Sequence, residues 1–401
     1  MMLANKSIVL GISGSIAAYK AADITSRLTQ AGARVDVVMT ESAARFISPL
    51  TLRSLTGRPV LTSMWELSSE FSIEHVALAE AADVVAIVPA TANIIAKMAV
   101  GIADDMLTST VLATRAPVVV APAMNVNMLE NPVTQENLAK LKARGFTIVG
   151  PAYGHLASGG MGLGRLAEAE TIIGIIKQVL GRGGDLESKR IVVTAGGTQE
   201  PIDPVRHIGN RSSGRMGYAV AEAARDRGAT VTLISAPVSL PEPAGVELVR
   251  VRTAVEMKAA VVEATSQADA LIMVAAVADY QPKRVAKEKI KKEKAQGLTL
   301  ELVRTPDILA EVKGSLLKVG FAAESGDIVA NARRKLEAKQ LDIIVANDIT
   351  AADSGFDVDT NKVTLISREG KVEDLPLLTK RGVADRVLDR VVGLLANKRG
   401  G

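Results

Sequence analysis

Between Arg190 and Gly217 a strand, a loop of small residues and a helix start follow one another (RIVVTAGGTQEPIDPVRHIGNRSSGRMG). The first six residues are apolar and β-branched enough to form a buried strand. At Ala195-Gly196-Gly197 the chain enters a loop rich in glycine, proline and hydroxyls, and a helix is predicted from near Met216. This order gathers backbone N–H groups at one point, where the helix dipole also favours an anion. Asn210, Ser212, Ser213 and Gly214 offer neutral donors and close backbone approach, and Arg211 and Arg215 add charge. Phosphate is the guest such a loop favours. The alternative is a plain crossover whose glycines and serines only make turns.

A chain of 401 residues is too long for one ordinary core and suits two domains of about 200 residues each. No apolar run approaches the roughly 20 residues that span a bilayer, and the start runs straight into a strand and Gly loop, so a cytoplasmic protein without membrane partner is expected. With no cysteine and only His75, His155 and His207 as histidines, cysteine-ligated metals are excluded and a zinc site is disfavoured. The net charge of +4 suits anionic metabolites. The most basic tract, Lys283 to Lys294, lacks the aromatics that stack nucleic-acid bases, so no nucleic acid is expected as a partner.

The N-terminal half alternates strand and helix. Strands are predicted at Ser7 to Leu10, Arg34 to Met39, Val84 to Val88, Val118 to Ala121 and Thr147 to Val149, with helices such as Ala17 to Gln30 and Asn137 to Arg144 between them. Alternation of this kind implies a parallel sheet covered on both faces, with its ligand at the carboxyl ends of the strands. Those ends carry GISGSIAAYK (Gly11 to Lys20), MTESA (Met39 to Ala43), PATAN (Pro89 to Asn93) and APAMN (Ala121 to Asn125). Gly11, Gly14 and Ala17 match a dinucleotide fingerprint only loosely, and the second strand ends in Thr40 rather than an acid for a ribose hydroxyl. Hydroxyls dominate the loops (Ser13, Ser15, Thr40, Ser42, Thr91), which suits a mononucleotide phosphate such as that of FMN better than NAD.

Val179 to Lys189 breaks the periodicity with glycines and then charge, and reads as a linker. Beyond it strands are predicted at Arg190 to Ala195, Thr230 to Ser235, Ala270 to Ala275, Val319 to Ala322 and Ile343 to Ala346, with helices at Thr253 to Gln267, Ile328 to Lys339 and Ala384 to Lys398. The fold class is therefore α/β, two Rossmann-like domains, each a mostly parallel sheet with helices on both faces. The two halves share an opening but no residue repeat.

Several side chains carry two readings. His75, just before a predicted helix, is either a surface or capping residue or a functional group near the sheet's ligand edge. Asn125 leaves a strand end where an amide holds a carboxylate or makes an Asx turn. Gly154 to Arg165, with five glycines, is expected to be a mobile flap or a plain loop. Asp279 follows a strand and precedes a lysine-rich segment, where an acid suits Mg²⁺ on a triphosphate and a lysine suits closure over it; a solvated charged loop is the alternative. Lys335 and Lys339 lie four apart on one helix face, toward phosphate or toward water.

Taken together these motifs resemble the bacterial family in which phosphopantothenoylcysteine decarboxylase is fused to phosphopantothenate-cysteine ligase in coenzyme A biosynthesis. The resemblance rests on GISGSIAAYK, His75, PATANIIAKMAVGIADD and APAMN in one half. In the other it rests on AGGTQEPIDPVR, NRSSGRMG, AAVADY, KIKK, GFAAE and VAND (Val345 to Asp348). It covers essentially the whole chain and implies a decarboxylase domain over 1–183 and a ligase domain over 188–401.

For the first domain the resemblance implies FMN bound by Gly14, Ser15, Thr40, Thr91 and Asn93, with His75 as catalytic base and Asn125 positioning the departing carboxylate. Flavin oxidises the cysteinyl thiol, the resulting thioaldehyde accepts the electrons left as CO₂ departs, and the enethiolate is finally reduced. Ser158 stands where family members often carry a cysteine as the last proton donor, and a hydroxyl is far less acidic than a thiol.

For the second domain it implies an acyl-cytidylate made from 4'-phosphopantothenate and CTP with Mg²⁺, which L-cysteine then attacks. Asn210 matches the residue that contacts this intermediate and Lys289 the lysine that forms it. Nucleotide positions are Ser212, Gly214, Met273, Val274, Ala275, Asp279, Pro306, Asp307, Ile308, Leu309, Phe321, Lys335 and Lys339, with Asp279 also toward the metal. Arg215 and Gln199 replace residues commonly lysine and arginine. A homo-oligomer is implied, with decarboxylase domains assembling around shared FMN sites and ligase domains pairing. The competing readings are a nicotinamide oxidoreductase and a nucleic-acid protein using the Lys283 to Lys294 tract.

Overall fold

The computed structural model describes residues 3–65, 74–157, 159–291, 298–324, 327–348 and 358–397. The chain divides into two units, Met1–Leu180 and Gly181–Gly401.

In the first unit six strands, β1 (Ser7–Ile12), β2 (Arg34–Met39), β3 (Val60–Leu61), β4 (Val84–Ala90), β5 (Val118–Pro122) and β6 (Thr147–Ile148), form one sheet in the order β3-β2-β1-β4-β5-β6. Every pairing in it is parallel. Its strands are near-continuous apolar runs because both faces are covered. Helices α1 (Lys20–Gln30), α2 (Pro49–Thr56), α3 (Glu74–Ala81), α4 (Ala92–Val100), α5 (Met106–Ala113), α6 (Val126–Glu130), α7 (Pro132–Ala143) and α8 (Ala169–Leu180) complete the unit. Ile24 and Leu28 of α1 and Ile172 and Ile176 of α8 pack with Ile8, Leu10 and Ile12 on one face. Ile94, Leu107 and Leu141 pack with Val9, Val85 and Ile87 on the other. Each such side chain contributes about 1.5–3 kcal/mol.

The predicted helix over Ala17 to Gln30 begins as a 3₁₀ turn, Ile16–Tyr19, capped by Ser15. The glycine-rich segment is neither flap nor plain loop throughout: β7 (Ala152–His155) and β8 (Met161–Arg165) pair as an antiparallel ribbon. Alternate glycines still present two backbone edges, and the ladder needs no side chains.

In the second unit the strands are β9 (Arg190–Ala195), β10 (Gln199–Pro201), β11 (His207–Gly209), β12 (Thr230–Ser235), β13 (Glu247–Arg250), β14 (Ala270–Met273), β15 (Tyr280–Pro282), β16 (Leu302–Arg304), β17 (Leu317–Glu324), β18 (Ile343–Asp348), β19 (Thr360–Asn361), β20 (Val363–Ser367), β21 (Val372–Asp374) and β22 (Leu378–Thr379). Eight of them form the sheet β13-β12-β9-β14-β17-β18-β20-β21. Its first six strands run parallel and reproduce the order of the first unit, and β20 and β21 extend it antiparallel. Thus the two halves share topology without sharing residues. The helices are α9 (Arg215–Asp226), α10 (Ala254–Thr265), α11 (Ile308–Glu311), α12 (Ile328–Ala338) and α13 (Lys380–Asn397). Gly217 lets α9 sit directly on β9, since a Cβ there would lie 2.6 Å from that of Ala195. The end of the expected linker belongs to this unit: Leu186 is in its core and Asp185 pairs with Arg227.

Candidate active sites

In a doubly wound sheet the ligand crevice opens where the strand order reverses, outside the carboxyl ends of two neighbouring strands. In the first unit these are β1 and β4. Buried Ser13, just past β1, donates its hydroxyl to Pro89 C=O at 2.7 Å and accepts the Thr91 N–H at 3.0 Å. Its neighbour Gly14 packs against the loop after β2, where a Cβ would meet that of Ser42 at 2.4 Å. Thr91 caps α4 through the Ile94 N–H, and Ser15 accepts from Ala17 N–H.

A cavity of about 530 Å³ opens here, lined by Gly14, Ser15, Thr91 and Asn125 from the expected set. Tyr19, Lys20, Met124, His155 and Arg165 also line it. The ribbon β7–β8 closes one side, with Gly164 C=O accepting from Met124 N–H at 3.0 Å. Asn125 caps α6: its Oδ1 accepts from Asn127 N–H at 2.9 Å, which is the Asx turn of its two readings.

His75, Thr40 and Asn93 do not line this cavity. Rather than preceding a helix, His75 is the second residue of α3, half-buried. The Thr40 hydroxyl accepts from Ala43 N–H at the first residue of the turn Ala43–Arg45. Asn93 is exposed on α4. Ser158 lies outside the described residues.

In the second unit the corresponding strands are β9 and β14. Fully buried Thr194 accepts the N–H groups of Val274 at 3.1 Å and Ala275 at 3.0 Å. Buried Thr198 accepts Ala278 N–H at 2.9 Å, and Ala276 N–H reaches Gly196 C=O at 2.8 Å. These bonds lace the two strand-end loops together.

Their cavity, also about 530 Å³, is lined by the whole run Asn210 to Gly217 at the N-terminus of α9, and by Val274, Ala275, Asp279, Phe321 and Lys335. Asn347, Asn361 and Lys380 line it too. No motif pointed to Asn361 or Lys380; they arrive from the segment that leads into α13, more than a hundred residues beyond the phosphate loop. Asp279 is the one carboxylate among the described residues that line it.

Other expected nucleotide residues stand elsewhere. Met273 is buried behind the loop, with its sulfur accepting from Thr194 at 3.6 Å. Pro306, Asp307, Ile308 and Leu309 enter α11, which Asp307 caps, and Ile308 packs in the core beside α10. Lys335 and Lys339 part company: Lys335 lines the cavity, while Lys339 pairs with Asp307. Lys289 is exposed and outside the cavity lining. Its neighbour Ile290 is held by buried Asp203, whose carboxyl lies far below the usual range because it accepts from Arg206 and from the backbone N–H groups of Val205, Ile290 and Arg206.

Two doubly wound units, each with a cavity of about 530 Å³ at its switch point, place the chain in the two-domain α/β class whose crevices take nucleotides and flavins. The family model described as Flavoprotein matches residues 1–181, and that of the DNA/pantothenate metabolism flavoprotein C-terminal domain matches 186–395. The coenzyme A biosynthesis bifunctional protein CoaBC of Bacillus subtilis (strain 168) is 47% identical over 399 residues, 98% of both chains. That of Escherichia coli (strain K12) is 46% identical over 400 residues, again 98% of both. A crystal structure of the C-terminal domain of a CoaBC protein is 41% identical and covers 53% of this chain and 99% of its own, with a TM-score of 0.46. The chain belongs to the family of bifunctional coenzyme A biosynthesis proteins. It is a flavoprotein enzyme with decarboxylase and ligase activities.

Proposed function

We propose that the first unit, ending before residue 184, is an FMN-dependent phosphopantothenoylcysteine decarboxylase and that the second, from residue 188, is a CTP-dependent phosphopantothenate-cysteine ligase. The observation that carries the reading is the pair of like-placed cavities, one rimmed by hydroxyls and an amide, the other by a complete phosphate loop.

In the first cavity the donor set fits FMN: Ser15 and Thr91 stand at two helix starts, where a phosphate is favoured. Bound flavin supplies reversible two-electron chemistry to the cysteinyl carbon. Asn125 orients the substrate carboxylate, and the ribbon β7–β8 shields the site from water. His75 acts as base. Because it does not line its own cavity, it serves the site of a second copy, and decarboxylase units assemble around shared FMN sites.

In the second cavity the α9 N-terminus, Ser212 and Gly214 hold the nucleotide phosphates, and Lys335 adds charge. A single carboxylate, Asp279, fits Mg²⁺ that arrives on a triphosphate and keeps its waters. The pantothenate carboxylate attacks the α-phosphorus and pyrophosphate leaves; the cysteine amine then attacks the acyl carbon and CMP leaves. Lys289 and Asn210 stabilise charge during these steps. Ligase units pair, and the protein works in the cytoplasm.

Product analysis with 4'-phosphopantothenate, L-cysteine and each nucleotide in turn tests both halves. CTP alone should support ligation, and the product should lose CO₂ on the same protein with an FMN absorbance spectrum. Equal turnover with ATP would remove the CTP assignment, and a colourless protein that still decarboxylates would remove the FMN assignment.

A further inference from the structure

The loop that bears Lys289 is gripped at one residue by both of its backbone groups. Ile290 donates its N–H to Asp203 Oδ2 at 3.1 Å, and its C=O accepts from Arg206 Nη2 at 2.9 Å. Arg206 is locked onto the same carboxylate, with Nε at 3.0 Å and Nη2 at 2.5 Å from Oδ2. The other oxygen accepts the N–H groups of Val205 and Arg206, each at 2.8 Å. A further bond runs from Ala286 N–H to Ile202 C=O at 3.0 Å.

The Asp203 side chain is 0% exposed. A charge so buried is costly unless every lone pair is engaged, and here the acceptors are filled by its own turn, by Arg206 and by Ile290. A tight Asx turn needs only the local bonds. The remaining capacity is spent on a loop more than eighty residues away. The turn also leads, through β11 (His207–Gly209), directly into Asn210 of the phosphate loop. One short, hydrogen-bonded path therefore fixes Lys289 relative to Asn210.

We infer that Asp203 is a positioning residue of the ligase, acting on the nucleotide-activation step through Ile290 and thereby Lys289. The inference rests on the ligase reading of Lys289 given above. Misplacing a charged side chain by about an ångström costs up to a hundredfold in rate, whereas binding of CTP by a cavity that Lys289 does not line is left as it was.

The test uses the full chain carrying Asp203→Asn, Ile290→Pro or Lys289→Gln. Asp203→Asn removes the charge and one acceptor, and Ile290→Pro deletes the donated N–H while leaving the carboxylate and Arg206 in place. Hydrogen–deuterium exchange of the peptide that includes residues 286–291 reports whether the grip is broken. Steady-state pyrophosphate release gives kcat and KM for CTP.

In both clamp variants exchange should rise, kcat should fall about tenfold or more, and KM should stay within about twofold. Decarboxylation of supplied phosphopantothenoylcysteine should be unchanged. A kcat within twofold of the parent despite faster exchange overturns the inference, as does a rise in KM with kcat unchanged. Proline also restricts the backbone of the preceding Lys289, so Ile290→Pro is read beside an Asp203 variant; if Asp203→Asn does not fold, Asp203→Ser, which keeps a short acceptor without the charge, takes its place. Full activity in Lys289→Gln would instead remove the ligase reading of that lysine, which separates its failure from that of the clamp.

Discussion

Asn210 donates its side-chain N–H to the C=O of Val277 at 3.1 Å, which joins the phosphate loop after β9 to the loop after β14 across the switch point. An aspartate here would set a carboxylate oxygen against that carbonyl and add negative charge to a cavity assigned to phosphates. Alanine would only delete the bond. Asn210→Ala is expected to lose about tenfold in ligation and Asn210→Asp about a hundredfold, following the roughly 1.5–3 kcal/mol of a charged interaction. Pyrophosphate release and trapping of the acyl nucleotide measure both. An aspartate variant more active than the alanine one would show that charge at this point is irrelevant.

In the first unit the matching staple is Ser13, buried between Pro89 C=O and Thr91 N–H. Ser13→Ala leaves the Thr91 N–H without its acceptor at the start of α4, at a cost of about 1–3 kcal/mol. Since Thr91 and Ser15 both line the cavity, the variant should lose flavin on desalting, followed by visible absorbance, while ligation is retained. Full flavin content after desalting would mean that the staple does not shape the site.

These two staples also show what sequence can and cannot disclose. The loops GISGSIAAYK and NRSSGRMG were legible because strand, small-residue loop and helix are local patterns with local causes. That Ser13 meets Thr91, or Asn210 meets Val277, follows from strand order, which no periodicity encodes. For the same reason Asn361 and Lys380 escaped notice: they reach the cavity because β20 turns back antiparallel on β18 and β22 then pairs with β19. The ribbon β7–β8 was hidden by its glycines, whose composition signals a loop although their backbone still pairs. The divergence of Lys335 and Lys339 depends on Asp307, a partner that helical spacing cannot reveal.

Asp203 also predicts a pH dependence. Its folded carboxyl is depressed, first by the hydrogen bond to Arg206 and further by backbone N–H groups, against the opposing effect of burial. A depressed acid contributes stability that is present above the unfolded value, about 3.9, and is lost as pH falls through the lower folded value. The denaturant midpoint of the second unit should therefore start to drop as pH falls below about 5 and keep falling through about pH 3 and lower, and the drop should be shallower in Asp203→Asn. Parallel curves for parent and variant would rule out this carboxylate as a source of the acid limb.

The last prediction separates hydrogen bonding from packing beneath the nucleotide cavity. Thr194 is fully buried, and its one oxygen accepts two N–H groups, those of Val274 and Ala275, both of which line the cavity. Thr194→Val keeps the shape and removes the acceptor, so each N–H left unpaired costs about 1–3 kcal/mol unless the loop turns to find another partner. Either outcome moves the cavity wall. Thr194→Ser keeps the acceptor and loses a methyl group, which costs about 1 kcal/mol of packing. The valine variant should therefore bind CTP about tenfold more weakly by calorimetry and melt further below the parent than the serine variant does. The serine variant should melt only slightly below the parent and bind CTP within about twofold of it. Weaker binding in the serine variant than in the valine one would place the control of this loop in packing rather than in the hydroxyl.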